Sequence, residues 1–397
     1  MHDVTIWSEG RCSAGRTGRN LMPSLTGHRL RGFRRNAPLA FLLLAVILPS
    51  AFPQSSGGRV GIEFSMSDEA RQGAELTRRG KFQDAIPLFR AALRDAPEDF
   101  AIKFNLALCY VALGEFDKAI QLLNSLPGNQ RNANVENLLA QSYIGTGQSN
   151  KAFTSVQRAA RASPGDEKLY LYIADACNAY ADYDLGLKTV DLGLEKLPRA
   201  ARLHYRRAVF LSLLEAPEEA NRAFDQAIKL AGGDSIGYVS AAHKNLLNGN
   251  IPEALRAARL GVRQSKPDVL LLSFLGEAII RTGVAPGDTE FAEARGALEQ
   301  ALTQRPSYSP ALLAMAKLDL MEHRSSEAIA RLEAARQLEP RNPTVYSNLG
   351  QAYRLSGDQQ RAGQILAILA RINREDVERI RSAPGERKAG YGQTVHR

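Results

Sequence analysis

Gly80-Lys81-Phe82-Gln83-Asp84-Ala85-Ile86 returns 34 residues later as Gly114-Glu115-Phe116-Asp117-Lys118-Ala119-Ile120. A phrase that recurs at a fixed period of this size marks a chain built from stacked units, each too small to bury its own apolar face. With Ala85 as marker, equivalent small residues follow at Ala119, Ala152, Gly186, Ala220, Ala254, Ala294, Ala328 and Ala362, at intervals of 34, 33, 34, 34, 34, 40, 34 and 34. Nine units result, starting near 66, 100, 133, 167, 201, 235, 269, 309 and 343.

Each unit reads as two helices. In the second, Phe104, Leu106, Ala107, Tyr110 and Val111 recur at helical spacing, Gly114 ends the run, and Ala119, Ile120, Leu122, Leu123 and Leu126 form another apolar face. Two helices joined by a tight turn approach closely only where their side chains are small. Ala107 and Ala119 fill those slots here; the other first helices offer Gly73, Ala140, Ala174, Ala208, Ala242, Gly276, Ala316 and Gly350. The turn glycine recurs at Gly80, Gly114, Gly147, Gly249, Gly283 and Gly357, where a left-handed residue ends a helix without steric cost. Pro97, Pro164, Pro198, Pro306 and Pro340 close units where the chain must reverse.

These slots resemble the tetratricopeptide repeat (TPR) family over residues 66–376. Gly73, Ala85, Phe89, Ala92 and Pro97 fit its pattern in the first unit, and Tyr346, Leu349, Gly350, Tyr353 and Ala362 in the last. Departures are Gly186 and Gly193 in place of alanines in the fourth unit, no closing proline in register in the fifth and sixth, and Asn245 where tyrosine or leucine is usual. Each is expected to soften its own unit. The resemblance implies an all-α, right-handed superhelical solenoid of about nine two-helix repeats. It also implies that the first helices line a concave groove that binds peptides or protein surfaces.

The 397-residue chain carries a formal charge of +9. Residues 1–51 hold seven arginines against Asp3 and Glu9, a balance of +5, which leaves +4 for the rest. Arg29, Arg31, Arg34 and Arg35 precede the apolar run Leu39–Leu48, which Pro38 and Pro49 bracket, with Ser50, Ala51, Ser55 and Ser56 beyond. A charged start, a short apolar centre and a small-residue exit describe a secretory signal peptide, cleaved near Ala51. Ten apolar residues fall short of the roughly 20 that a spanning helix needs. Translation from Met22 would give the segment an ordinary length. A periplasmic or secreted location is expected; the alternative is an inner-membrane anchor formed by residues 37–51.

Residues 52–65 read as a Gly- and Ser-containing linker. Cys109 and Cys177, two units apart on apolar first helices, read as small core residues. The seventh unit carries six extra residues around Val284–Glu290, with the turn signal Ala285-Pro286-Gly287-Asp288. Ile365, Leu366, Ile368, Leu369 and Ile372 make the last repeat helix apolar over a wide arc. Asn373–Ser382 is therefore expected to fold back as a cap, and the Gly-rich charged stretch from Ala383 to be disordered.

No sequence cluster supports catalysis. His204, His243, His323 and His396 fall in units five, six and eight and in the tail, and no HExxH, CxxC or G-x-S-x-G is present. Asp166-Glu167 and Glu218-Glu219 sit where carboxylates favour helix starts. Gly232-Gly233-Asp234 reads as a turn between units. No cofactor, metal or enzyme activity is expected, nor nucleic acid, since basic residues mix with acidic ones and Trp7 is the one tryptophan.

The groove face of units three to five carries Asn134, Asn137, Gln141, Lys168, Asp175, Asn178, Arg202, Tyr205 and Arg206. Amides pair with a peptide backbone and arginines with carboxylates, so a protein or peptide partner is expected there. The family's two-carboxylate clamp is missing, with Ala70 and Ala74 in its slots. The leading reading is an exported scaffold that assembles or regulates an envelope complex. Its rivals are a membrane-tethered accessory subunit of a surface polysaccharide or peptidoglycan enzyme complex, and a polysaccharide- or nucleic-acid-binding solenoid.

Overall fold

The computed structural model describes residues 67–339 and 342–382. The leader at 1–51, the linker at 52–65, Pro340 and the tail from Ala383 lie outside the described residues. Within them the chain forms nine helical hairpins: α1 Asp68–Arg78 with α2 Phe82–Asp95, α3 Phe100–Ala112 with α4 Phe116–Asn124, and α5 Ala133–Gly145 with α6 Ser149–Ala162. Next come α7 Glu167–Ala179 with α8 Tyr183–Lys196, α9 Ala201–Leu213 with α10 Pro217–Ala231, and α11 Ser235–Leu247 with α12 Ile251–Gln264. The array ends with α13 Val269–Arg281 and α14 Thr289–Gln304, α15 Ser309–Met321 and α16 Ser325–Leu338, and α17 Pro343–Leu355 and α18 Gln359–Ser382.

The small slots meet inside each hairpin. Ala107 and Ala119, Ala140 and Ala152, and Ala316 and Ala328 are all 0% exposed, so each pair of helices closes on side chains that leave no gap. Chain reversal follows from backbone geometry: Gly80, Gly114, Gly147, Gly249, Gly283 and Gly357 have φ between +72° and +85°. Three units manage the same turn without glycine, through Ala181, Glu215 and His323 at φ of +55°, +60° and +59°. Helix starts are fixed by side-chain caps, as where Asp99 accepts from the Ile102 amide at 2.9 Å and Asp268 from the Leu271 amide at 2.9 Å.

First helices touch successive first helices all the way from α1 to α17, whereas among second helices α6 and α8 come together. Elements on the inside of an arc are the crowded ones, so the first helices form the inner wall and the second helices the outer. The fold is a solenoid whose core runs lengthwise between the two layers. Its largest continuous piece extends from Tyr205 to Leu318.

Two expectations need revision, and a third holds. Gly186 and Gly193 do not soften the fourth unit. A methyl at Gly186 would stand 2.4 Å from the Phe210 ring and one at Gly193 2.8 Å from the Tyr170 ring, so the missing side chains make room for aromatic rings. Nor does the chain fold back at Asn373. α18 continues unbroken to Ser382, and its apolar arc is used by α17, with Leu366 packed over Gly350 and Ile372 4% exposed. The insertion in the seventh unit forms a tight turn, closed by the Ala285 amide on Asp288 Oδ2 at 2.7 Å and anchored by the buried Val284.

Candidate functional site

The nine residues expected on the groove divide by environment. Asn134, Lys168, Asn178 and Arg202 are exposed on the inner wall. Asp175 and Arg206 are half-buried and paired at 2.5 Å between α7 and α9. Asn137 and Gln141, 6% and 2% exposed, are mostly covered, and Gln141 Nε2 donates to Asn137 Oδ1 at 2.7 Å. One helical turn apart on a crowded wall, two amides satisfy each other better than either could be left dry. Tyr205 is also buried, its hydroxyl 3.2 Å from His243 Nδ1.

That last contact leads to a cluster that sequence reasoning missed. The His243 ring on α11 lies 4.7 Å from the Phe274 ring on α13, 5.4 Å from Phe224 and 5.9 Å from Tyr205. The Arg206 guanidinium sits over the Tyr205 ring at 5.9 Å. Burial, and then the Arg206 charge, depress the His243 pKa from 6.5 to about 4, so the imidazole is neutral near neutral pH. Burial works against the Arg206 charge, but Asp175, Tyr205 and Tyr308 hold its pKa above the ordinary value. Tyr308 begins the eighth unit, and burial pushes its hydroxyl up to about 12.

A register signal could have found His243. It holds the ninth position of its helix, as Gln141 and Asp175 do of theirs. The same position gives Glu277 and Lys317 on α13 and α15, which pair at 3.8 Å. Phe274 and Tyr308 lie off that position, and only packing brings them in.

Two hollows accompany the wall. A small one between α3, α5 and α7 is lined by Phe104, Asn134, Asn137, Asp166, Leu169 and Tyr172. A wider one lies on the outer side between α6 and α8, over Ala160, Pro164 and Leu192, with Gln157, Arg161 and Lys196 at its rim. Among the described residues no three His, Cys, Asp or Glu side chains group as metal ligands, and no helix is long and apolar enough to cross a membrane.

Two stretches of the chain are similar to a known repeat family. Residues 76–142 and 319–383 match the tetratricopeptide repeat family model. No curated protein matches. Among solved structures, yeast Tom70 superposes with a TM-score of 0.52 at 17% identity, over 88% of this chain and 71% of that one. A tetratricopeptide repeat protein from Parabacteroides merdae gives 0.45 at 18% identity, over 64% of this chain and 97% of that one. YrrB, described as a TPR protein with an unusual peptide-binding site, gives 0.34 at 17% identity, over 49% and 97%. The family match falls near both ends of the array, and the same two-helix unit fills the interval between them: the chain has the all-α solenoid fold that tetratricopeptide repeat proteins share.

Proposed function

We propose that this chain is an exported scaffold that holds an envelope protein in its concave groove and so assembles or regulates a complex, by recognition and without catalysis of its own. The observation that carries the binding part is the inner wall from α5 to α15. There, exposed polar heads (Asn134, Lys168, Asn178, Arg202) on α5, α7 and α9 are followed along the wall by the half-buried rings of His243 and Phe274, and then by Tyr308. Polar groups that orient a ligand beside apolar surface that rewards its burial are the composition of a recognition surface. Export is supported by the sequence of residues 29–51.

Two measurements test the two parts. N-terminal sequencing of the protein from fractionated cells should give a new terminus near Ala51 in the soluble envelope fraction. An intact leader in the membrane fraction would favour the tethered subunit, and an intact chain in the cytosol would overturn export. A photocrosslinking residue at Asn178, on the inner wall, should capture protein in those cells, whereas one at Gln157, on the outer cleft, should not. Capture from Gln157 alone would move the binding surface to the outer helices.

A further inference from the structure

We propose that the groove takes an extended peptide segment with an acidic side chain three to six residues from a large apolar one. This rests on the groove reading above and adds the chemistry of the occupant. The observation is a row. The second residues of the successive inner helices α5, α7, α9, α11, α13 and α15 are Asn134, Lys168, Arg202, Ile236, Leu270 and Pro310. Stacked repeats place them side by side along one edge of the wall. The row changes character once, between Arg202 and Ile236, from polar and cationic to apolar.

Charge decides what the first half takes. Lys168 and Arg202 are exposed, and among the described residues neither side chain makes an ion pair or hydrogen bond. Their neighbours are different: Arg206 is held by Asp175, and Arg207 by Asp191 at 2.7 Å. Two carboxylates near the row cap their helices, while among the described residues Asp234 and Glu167 beside it make no ion pair with either cation. Asp166 accepts from the Lys168 amide at 3.1 Å, while Asp268 accepts from the Leu271 amide at 2.9 Å and from Ser235 Oγ at 3.1 Å. Two cations at matching positions on adjacent helices, neither in an ion pair, complement an acidic side chain.

Burial decides what the second half takes. Ile236 and Leu270 are half-buried and pack on the central core from Tyr205 to Leu318, beside Phe274. A large apolar side chain laid over them removes apolar surface on both partners from water.

Spacing joins the halves. Packed helices lie about 8–10 Å apart, and an extended chain advances about 3.3 Å per residue. Arg202 to Ile236 is one helix step, or about three residues of peptide. Lys168 to Ile236, like Arg202 to Leu270, is two steps, or about six.

The test is selection of short random peptides displayed on phage against the full-length chain. Enriched sequences are then synthesised with fluorescein, measured by anisotropy and mapped by crosslinking. Peptides that crosslink to α9 and α11 and carry an acid at the stated spacing are expected. Affinity should fall about fivefold with Lys168→Glu or with Arg202→Glu, two exposed changes that leave the core intact, and high salt should erase that difference. Moving the acid next to the apolar residue, or replacing the latter by Ala, should weaken binding with the protein unaltered. Peptides that crosslink to the groove but lack the acid, or that bind both variants as well as the wild type, would overturn this inference and leave the groove reading standing. Crosslinking to the outer helices alone, or no enrichment, would overturn both.

Discussion

Gly186 on α8 shows how a single atom sets the packing of a unit. On propensity alone, alanine at this helical position should be better than glycine by up to about 1 kcal/mol. In the structure the Phe210 ring of the next unit stands 2.4 Å from where the methyl would go, and Phe210 is fully buried. Overpacking of this kind costs about 1–3 kcal/mol, which outweighs the gain in propensity. Gly186→Ala should therefore lower the urea midpoint, with a net loss of stability of up to about 2 kcal/mol. A midpoint raised by the propensity gain would show that the ring moves aside without cost. The repeat pattern located Gly186 in its slot, because that slot is local. It could not reveal that the slot was emptied for a ring that arrives from 24 residues further along. The same limit explains Tyr205, Asn137 and Gln141. Their helical face was readable, but whether a neighbouring unit covers that face depends on contacts between repeats.

Between elements, the tie that the sequence concealed is Asp319. It is 0% exposed on α15 and meets Arg295 of α14 at 3.2 Å, Arg324 at 3.2 Å at the start of α16, and Arg331 of α16. Burial pushes its carboxyl above the usual range, with the guanidinium groups of Arg331, Arg295 and Arg324 pulling the other way. An acid in an otherwise apolar helix looks like a solvated residue until the three arginines converge on it. Removing one partner of a buried ionic group costs about 3–5 kcal/mol. The arginines here are 17%, 40% and 30% exposed and can partly rehydrate, so Asp319→Asn should cost near the low end, about 3 kcal/mol. Faster amide exchange in α14 to α16 should localise the loss, and unchanged exchange there would show that the cluster ties nothing together. The second tie, on the inner wall, responds to pH. His243 titrates near 4 in the folded chain against 6.5 for a free imidazole, so the unfolded chain takes up its proton first. The stability is fully present above pH 6.5 and is lost as pH falls from 6.5 towards about 4, where the loss levels off. The half-buried ring, faced by Tyr205, Phe224, Phe274 and Arg206, sets the size of the effect at about 2 kcal/mol. Urea titrations of wild type and His243→Gln across that range should converge in slope if other groups dominate, and should diverge by this amount if His243 carries it.

At the scale of the whole molecule, the array was the most legible part, since period, turn residues and small slots are repeated local facts. Eight of the nine first helices begin at the expected residues, from Phe100 at 100 to Pro343 at 343, and the first begins at Asp68 instead of 66. What the period does not encode is how unevenly the core is distributed along it. The largest piece runs from Tyr205 to Leu318 across α9 to α15, with a small separate one of Leu246, Ala254 and Ala278 inside that span, and is flanked by smaller pieces over Ala70–Leu139, Ala140–Phe210 and Leu312–Ile372. In a solenoid each unit leans only on its neighbours, so opening an end unit breaks one interface and opening a middle unit breaks two. Position and core size act in the same direction here. Native-state hydrogen exchange should thus find its slowest amides in α9 to α15 and its fastest in α1, α2, α17 and α18, with opening free energies that differ by several kcal/mol, roughly. The inner wall proposed to bind peptide would then sit on the stiffest part of the molecule, which lowers the ordering cost of recognition. Protection that is uniform from α1 to α18 would mean that the array opens as one cooperative body and that the central core confers no special rigidity on the groove.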